Sequence, residues 1–277
     1  MPETDPPRAR AARKAAEEAL VRVIHHYGET PEFVLLGGLV PELLCDKSAL
    51  RHAGTTDVDV QVDLEIAAEA TNGKRLEQAL GNAEFESTDG QVWRWQTETD
   101  GVKAVVKFEL LADLDNAPAD STVIFAECQS LGAVNLRGTG FASRDFAPHP
   151  LRSKVGGVFY DVTVNVTGLS GFLLAKAAAA YSRRKEKDWY DIAFVLLHNN
   201  EGGPVQAAAR THALFGSVLT GSIRSALDDL AHNFAVETNQ GPVAYASQFA
   251  IDHPDSDEAQ LRADAVLAVR RFHSDLY

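Results

Sequence analysis

Two aspartates, Asp57 and Asp59, flank a valine in the run Asp57-Val58-Asp59-Val60-Gln61-Val62-Asp63. The strict alternation predicts a β-strand with both carboxylates on one face and Val58, Val60 and Val62 on the other. Carboxylates so placed can share a divalent cation, and hard oxygen ligands suit Mg²⁺, or Mn²⁺, bridging substrate phosphates. Such a pair is the metal half of a phosphoryl-transfer site. A bare solvated edge accounts for it poorly, because Asp is depleted in strands and like charges on one face repel.

The same chemistry needs a place for phosphate and a proton acceptor. Phe33 to Leu36 reads as a short buried strand ending in Gly37-Gly38, and Leu39 to Leu44 reads as the helix that follows. Strand, glycine turn and helix together make a cradle in which backbone N–H groups approach an anion and a helix N-terminus adds field. For a third carboxylate the expectation is Glu109, on the polar face of Val102 to Leu111 with Lys107 and opposite Val106, Phe108 and Leu110. Asp113 and Asp115 are alternatives, and a cross-strand Lys–Glu pair is the plain structural reading of Glu109.

A lysine in an apolar setting is the next unusual feature. Lys176 lies among Phe172, Leu173, Leu174 and alanines. If one helix ran on unbroken, Lys176, Arg183, Lys187 and Asp191 would fall within a sector of roughly 80°. An ammonium there could reach a triphosphate tail, or simply snorkel to solvent. Asp188 and Asp191 also have a structural reading, as an N-cap and a first-turn acid of the next helix.

These residues need elements to hold them. Ala11 to Tyr27 carries a helical stripe ended by Gly28, and Ala67 to Leu80 reads as a helix ended by Gly81. Gln91 to Thr97, Val102 to Leu111, Thr122 to Glu127 and Val158 to Val166 read as strands. From Ser170, a plausible N-cap, the pattern turns helical: to about Arg184, then Asp188 to His198, Val205 to Phe215, Ser222 to Phe234, Ala244 to Ile251 and Asp257 to Tyr277. The reading is an α/β core over residues 1–168 and a helical domain over 169–277.

Of the 277 residues, acids outnumber bases enough for a net charge of −13, which argues against a protein that coats nucleic acid non-specifically. A local basic patch stays compatible, built from Arg144, Arg152, Lys154, Arg183, Arg184, Lys185 and Lys187. No apolar run approaches membrane-spanning length and Met1 to Arg10 is not signal-like, so the expectation is a cytoplasmic protein with no membrane partner. Cys45 and Cys128 read as buried free thiols, and the nine histidines, His52 among them, show no zinc spacing.

Taken together, Gly37-Gly38, the Thr-x-Asp-x-Asp run ending in Asp59, Lys176, Arg183 and Lys187-Asp188-Trp189-Tyr190-Asp191-Ile192 resemble the nucleotidyltransferase superfamily. More narrowly they resemble its AbiEii/AbiGii branch, which includes the MenT toxins of toxin–antitoxin systems. The resemblance runs over about residues 30–200. It implies a nucleotidyltransferase-fold mixed sheet with flanking helices and an all-helical C-terminal domain that completes the site. It also implies transfer of a nucleoside monophosphate from an NTP to an acceptor hydroxyl, with Mg²⁺. Carried over by position, Asp57, Asp59 and Glu109 are the metal and catalytic carboxylates. Gly37, Gly38, Thr56, Lys176, Arg183, Asp188 and Asp191 bind the nucleotide, with Lys176 on its phosphates. Members of the branch modify the tRNA 3′ end, block translation and are neutralised by a cognate antitoxin. Two positions depart from the pattern: Ala53 stands where relatives carry arginine, with Arg51 and His52 just upstream, and Glu109 stands where aspartate is common. The rival expectations are transfer to a protein or small-molecule hydroxyl, and a non-catalytic antitoxin or regulator on the same fold.

Overall fold

The computed structural model describes residues 10–62, 70–88, 90–99, 104–126 and 128–277. Its contacts divide the chain into two compact units. The first comprises Met1–Leu39, Gly54–Leu136 and Phe146–Thr167, and the second Val40–Ala53, Arg137–Asp145 and Gly168–Tyr277. The expected division near residue 168 therefore lacks two earlier segments that fold with the helices. Among the described residues no helix is long and apolar enough to cross a membrane.

The first unit is a mixed sheet with helices on it. Its strands are β1 (Val34–Leu36), β2 (Asp57–Gln61), β3 (Glu86–Thr88), β4 (Gln91–Thr99), β5 (Ala104–Ala112), β6 (Thr122–Ile124), β7 (Gly132–Asn135), β8 (Phe146–Val155) and β9 (Val158–Thr167). The spatial order is β3-β4-β5-β2-β1-β9-β8, with β7 paired to the end of β5 and β6 to β7. At the centre β2 runs parallel to β5 and antiparallel to β1, while β1 runs parallel to β9.

Register fixes which side chains share a face. Leu35 pairs with Val60 and with Val166, and Val60 with Leu110, so all four point the same way. Helix α1 (Arg10–Tyr27) lies on that face: its His25 ring meets Tyr160, which has the parity of Val166, at 4.3 Å. Val58, Val60, Val106, Phe108 and Leu110 are fully buried there, and α1 also packs on α3 (Ala70–Asn82). The opposite face of β2 and β5 presents Asp57, Asp59, Lys107 and Glu109, all half-buried.

Several elements depart from expectation. The strand over Phe146–Val155 was not signalled, because Pro148 and Pro150 interrupt it. Both prolines have the same parity, so their missing donors fall on one side, which an edge strand leaves unpaired. Gly156 and Gly157, both at positive φ, make the two-residue turn into β9. The expected Thr122 to Glu127 strand stops at Ile124, and Glu127 lies outside the described residues, as do residues 67–69 of the expected helix, residues 102–103 of the expected strand and residues 1–9.

In the second unit α2 (Val40–Leu44) joins α4 (Leu169–Arg183), α5 (Glu186–His198), α6 (Pro204–Phe215), α7 (Gly221–Asn233), α8 (Gln240–Asp252) and α9 (Glu258–Leu276). Phe172, Trp189, Tyr190, Phe194, Phe234, Tyr245 and Phe272 form its core. Cys45 is buried, with its thiol pushed up to about 12 chiefly by desolvation, whereas Cys128 of the first unit is only half-buried.

Candidate functional site

In the first unit the glycine turn and the acidic strand meet. Leu36 of β1 pairs with Asp59, and the chain leaves β1 through Gly37 at φ +76°, in the left-handed region. A Cβ on Gly37 would lie 2.8 Å from the Asp59 Cβ and collide with its carboxylate. One on Gly38 would lie 2.7 Å from the Thr55 Cβ. Both glycines are therefore required by close approach, and what approaches Gly37 is the candidate metal ligand itself. Thr55 is in turn fixed by its Oγ1, which accepts from Asp57 N at 3.0 Å, and Thr56 by its carbonyl, which accepts from Lys107 N at 3.2 Å.

The expected helix after the glycines is a three-residue 3₁₀ turn, Gly37–Leu39, followed by the five residues of α2. So short an element adds little macrodipole. The turn contributes proximity and backbone donors, and the expected helix field is corrected to that.

Asp59 is in register with Glu109, and Asp57 with Lys107. The Glu109 carboxylate accepts from Arg94 Nε of β4 at 2.8 Å, and the Arg94 guanidinium lies 4.5 Å from the Trp93 ring centroid. Glu109 thus has a cationic partner across strands in Arg94. Among the described residues no three His, Cys, Asp or Glu side chains gather as a metal cage. The donor set still fits Mg²⁺, which takes one or two carboxylates and completes its shell with water and phosphate oxygens.

The second unit holds the other predicted residues together in a buried ionic network. Lys176 Nζ donates to Asp188 Oδ1 at 3.1 Å and lies 2.7 Å from Asp191 Oδ2. Arg183 binds Asp188 with both ends of its fork, Nε to Oδ2 and Nη2 to Oδ1, each at 2.7 Å. The side chains of Asp188 and Asp191 are fully buried, that of Lys176 is 8 % exposed and that of Arg183 is 39 % exposed. Burial pushes the Asp188 carboxyl up, but Lys176 and Arg183 together hold it down at about 2. Burial likewise opposes the Lys176 charge, and Asp191 and Asp188 overcome it, so the ammonium titrates above its ordinary value. Lys176 does not snorkel; it is a paired core cation.

Local structure explains how this network forms. The helix does not continue through residue 191: Arg184 adopts φ +48°, ψ +45°, closes α4 and turns the chain into α5. The N-cap of α5 is Lys185, so Asp188 stands in its first turn. The start of α4 is likewise not capped by Ser170. Asp145 Oδ2 accepts from the backbone N–H groups of Ser170 and Gly171, each at 3.0 Å, supplying the cap from a distant segment. Of the expected basic patch, Arg152 and Lys154 sit in the first unit and the others in the second, where Arg184 is paired with Asp229 at 2.8 Å.

One participant escaped the sequence reading. His52, 1 % exposed, sets its Nε2 2.9 Å from Asp191 Oδ1 and lies against the rings of Tyr190 and Phe194. A lone histidine in a loop carries no spacing signal, and only its place beside the departing Ala53 slot drew notice.

Comparison with known proteins adds little to this geometry. No family model matches the chain, and no curated protein does. Among solved structures the chain is similar to an antigenic nucleotidyltransferase-like protein from Paracoccidioides brasiliensis, at 16 % identity over 95 % of each chain and a TM-score of 0.44. A likeness that loose decides neither family nor activity, so the functional reading stands on the residues.

Proposed function

We propose that this protein is a divalent-cation-dependent nucleotidyltransferase, moving a nucleoside monophosphate from an NTP to an acceptor hydroxyl. The observation that carries the reading is the meeting of two half-exposed aspartates on one strand face with a glycine turn that only glycine fits. Asp57 and Asp59 would hold Mg²⁺ or Mn²⁺, which when bound polarises phosphate oxygens and neutralises their charge. Gly37 and Gly38 admit phosphate oxygens to backbone donors, and Thr56 keeps the strand's first turn in register. Glu109, oriented by Arg94, receives the proton of the acceptor hydroxyl. The resemblance assigns Lys176 and Arg183 of the second unit to the phosphates of the NTP, Arg183 being the more accessible. Asp188 and Asp191 fix both cations.

The acceptor we propose is the tRNA 3′ end, with the protein acting as a toxin that halts translation and is held in check by a cognate antitoxin. This finer reading rests on the resemblance carried by Lys176, Arg183 and Lys187-Asp188-Trp189-Tyr190-Asp191. Incubation with Mg²⁺, total tRNA and each labelled NTP, beside an Asp59→Ala control, tests it. Label in RNA that the control lacks supports tRNA transfer. Label in protein instead moves the acceptor to a protein hydroxyl, and no label with retained NTP binding makes the protein a binding module.

A further inference from the structure

We infer that Trp93 is a stacking platform for the acceptor: it takes the base of a single-stranded terminal nucleotide whose hydroxyl faces Glu109. The inference rests on the transferase reading above and names a specificity-determining residue for it within the sheet unit.

Register places the platform. β2, β5 and β4 are neighbours in the sheet, and Asp59, Glu109 and Arg94 stand opposite one another across them. Counting outward from the glycine turn, Asp59 comes first, Glu109 next, and Arg94 beyond it, two strand spacings or about 10 Å from β2. In phosphoryl transfer the attacking and leaving oxygens lie roughly in line on opposite sides of the phosphorus. With the NTP phosphates at Gly37, an acceptor whose hydroxyl meets Glu109 therefore extends toward β4.

A local irregularity turns the ring to meet it. In a regular strand Trp93 would share the core face with Trp95, which opposes Phe108 and is 6 % exposed. Here Ser87 of β3 pairs with Trp95, but the next residue, Thr88, pairs with Gln91, so residues 92 to 94 bulge out of β4. Among the described residues the ladder between β4 and β5 ends at the Arg94–Glu109 rung. Bulges of this kind re-aim side chains. Arg94 Nε is fixed on the Glu109 carboxylate at 2.8 Å, and the Arg94 guanidinium lies 4.5 Å from the Trp93 ring centroid, so the indole reaches the carboxylate face. Trp93 is only half-buried.

An accessible indole with a guanidinium against it suits an unstacked base, which needs a flat apolar surface and a nearby cation. A base inside a duplex is already stacked, and a serine or threonine side chain gains little from such a surface. The net charge of −13 gives RNA no general attraction to the chain, so a strand end has to be held by local contacts of this type.

The test uses the full chain carrying Trp95→Phe and Trp189→Phe, which leaves Trp93 as its one tryptophan. Single-stranded oligoadenylate is expected to quench its fluorescence, and the same strand paired with oligouridylate is not. Without those two substitutions, Trp93→Leu should raise the Kd for 5′-labelled oligoadenylate about tenfold and leave the Kd for a non-hydrolysable NTP analogue unchanged. Trp93→Phe, which keeps a ring, should stay within about threefold of wild type, a rescue that lost packing alone does not give. Three results overturn the inference: an unchanged RNA Kd in Trp93→Leu, with or without a lowered urea midpoint; equal quenching by the duplex; or a raised Kd for the NTP analogue alone, which would give the ring to the donor nucleotide. Transfer of labelled NTP to total tRNA separates the two levels. If the wild type labels no acceptor, the transferase reading fails and this inference falls with it. If it labels RNA and Trp93→Leu does so with unchanged KM for RNA, only the stacking role fails.

Discussion

Removing the charge of Asp188 tests whether the buried network holds the second unit together. In Asp188→Asn the side chain keeps its shape, but Lys176 and the Arg183 fork face a neutral amide whose NH₂ can only oppose their donors. The Asp188 carboxyl is held at about 2 against 3.8 for a free aspartate, which corresponds to about 2 kcal/mol of stability at neutral pH. Leaving a buried partner uncompensated costs about 3 to 5 kcal/mol. Arg183 is partly solvated and Lys176 keeps Asp191, so the lower end applies and about 3 kcal/mol is expected at pH 7. The sign is that of a depressed carboxyl: the contribution is complete above pH 3.8 and is lost as pH falls through about 2. The difference between wild type and variant should therefore shrink to about 1 kcal/mol at pH 2. Urea unfolding can be followed by Trp189, which neighbours Asp188 and is 2 % exposed, in a Trp93→Phe/Trp95→Phe background. A difference below about 1 kcal/mol at pH 7, or one equal at pH 6 and pH 2, refutes the reasoning.

Three further outcomes follow from the same geometry. Burial lowers His198 from 6.5 to about 4, Asp264 opposing only in part, so the folded chain prefers the neutral ring. Stability should be complete above pH 6.5 and fall by up to about 3 kcal/mol toward pH 4, a window that His198→Phe flattens in urea titrations. Gly37→Ala forces a side chain into the left-handed region and against Asp59. It should cost about 1 to 3 kcal/mol in urea unfolding and abolish label transfer from NTP, while Gly81→Ala, in open space inside α3, leaves transfer unchanged and raises stability by up to about 1 kcal/mol. Asp145→Ala leaves two N-terminal amides of α4 without an acceptor and removes the nearer of the two carboxylates that face Arg210, Glu201 being the other. A loss of about 1 to 2 kcal/mol, read by circular dichroism in urea, is expected.

How far the sequence shows all this depends on the range of the interaction. Alternation is local, so the two faces of β2 and β5 were legible in Asp57-Val58-Asp59-Val60 and in Val106, Phe108 and Leu110. Lys176 stood out because a cation among leucines and alanines must find partners, though not which ones. Four features left no local mark. The four residues of β7 are all buried and so do not alternate, and β8 carries prolines that ordinarily argue against a strand. Arg184 breaks the helix in a conformation usually left to glycine, and the cap of α4 arrives from Asp145, twenty-five residues earlier. The grouping of Val40–Ala53 with the helices is likewise set by Tyr190, Asp191 and Asn200, well over a hundred residues away.

The chain uses paired aspartates twice, and burial makes the two pairs chemically different. Asp188 and Asp191 are three residues apart on a helix, fully buried, and all four of their oxygens are held by Lys176, Arg183 and His52. A carboxylate in that setting offsets its desolvation with fixed counter-ions and has no ligand to exchange. Asp57 and Asp59 are two residues apart on a strand and half-exposed, so water can reach their carboxylates. In the proposed transfer a cation held there would have to accept phosphate oxygens and later release product, which requires exchangeable ligands. The buried pair therefore suits fixing cations and backbone in place, and the half-exposed pair suits the reacting phosphates. Exchanging these roles by charge removal should show it: loss at Asp188 appears mainly as lost stability, and loss at Asp59 mainly as lost transfer at nearly unchanged stability. A variant of Asp59 that unfolds as readily as one of Asp188 would contradict that division.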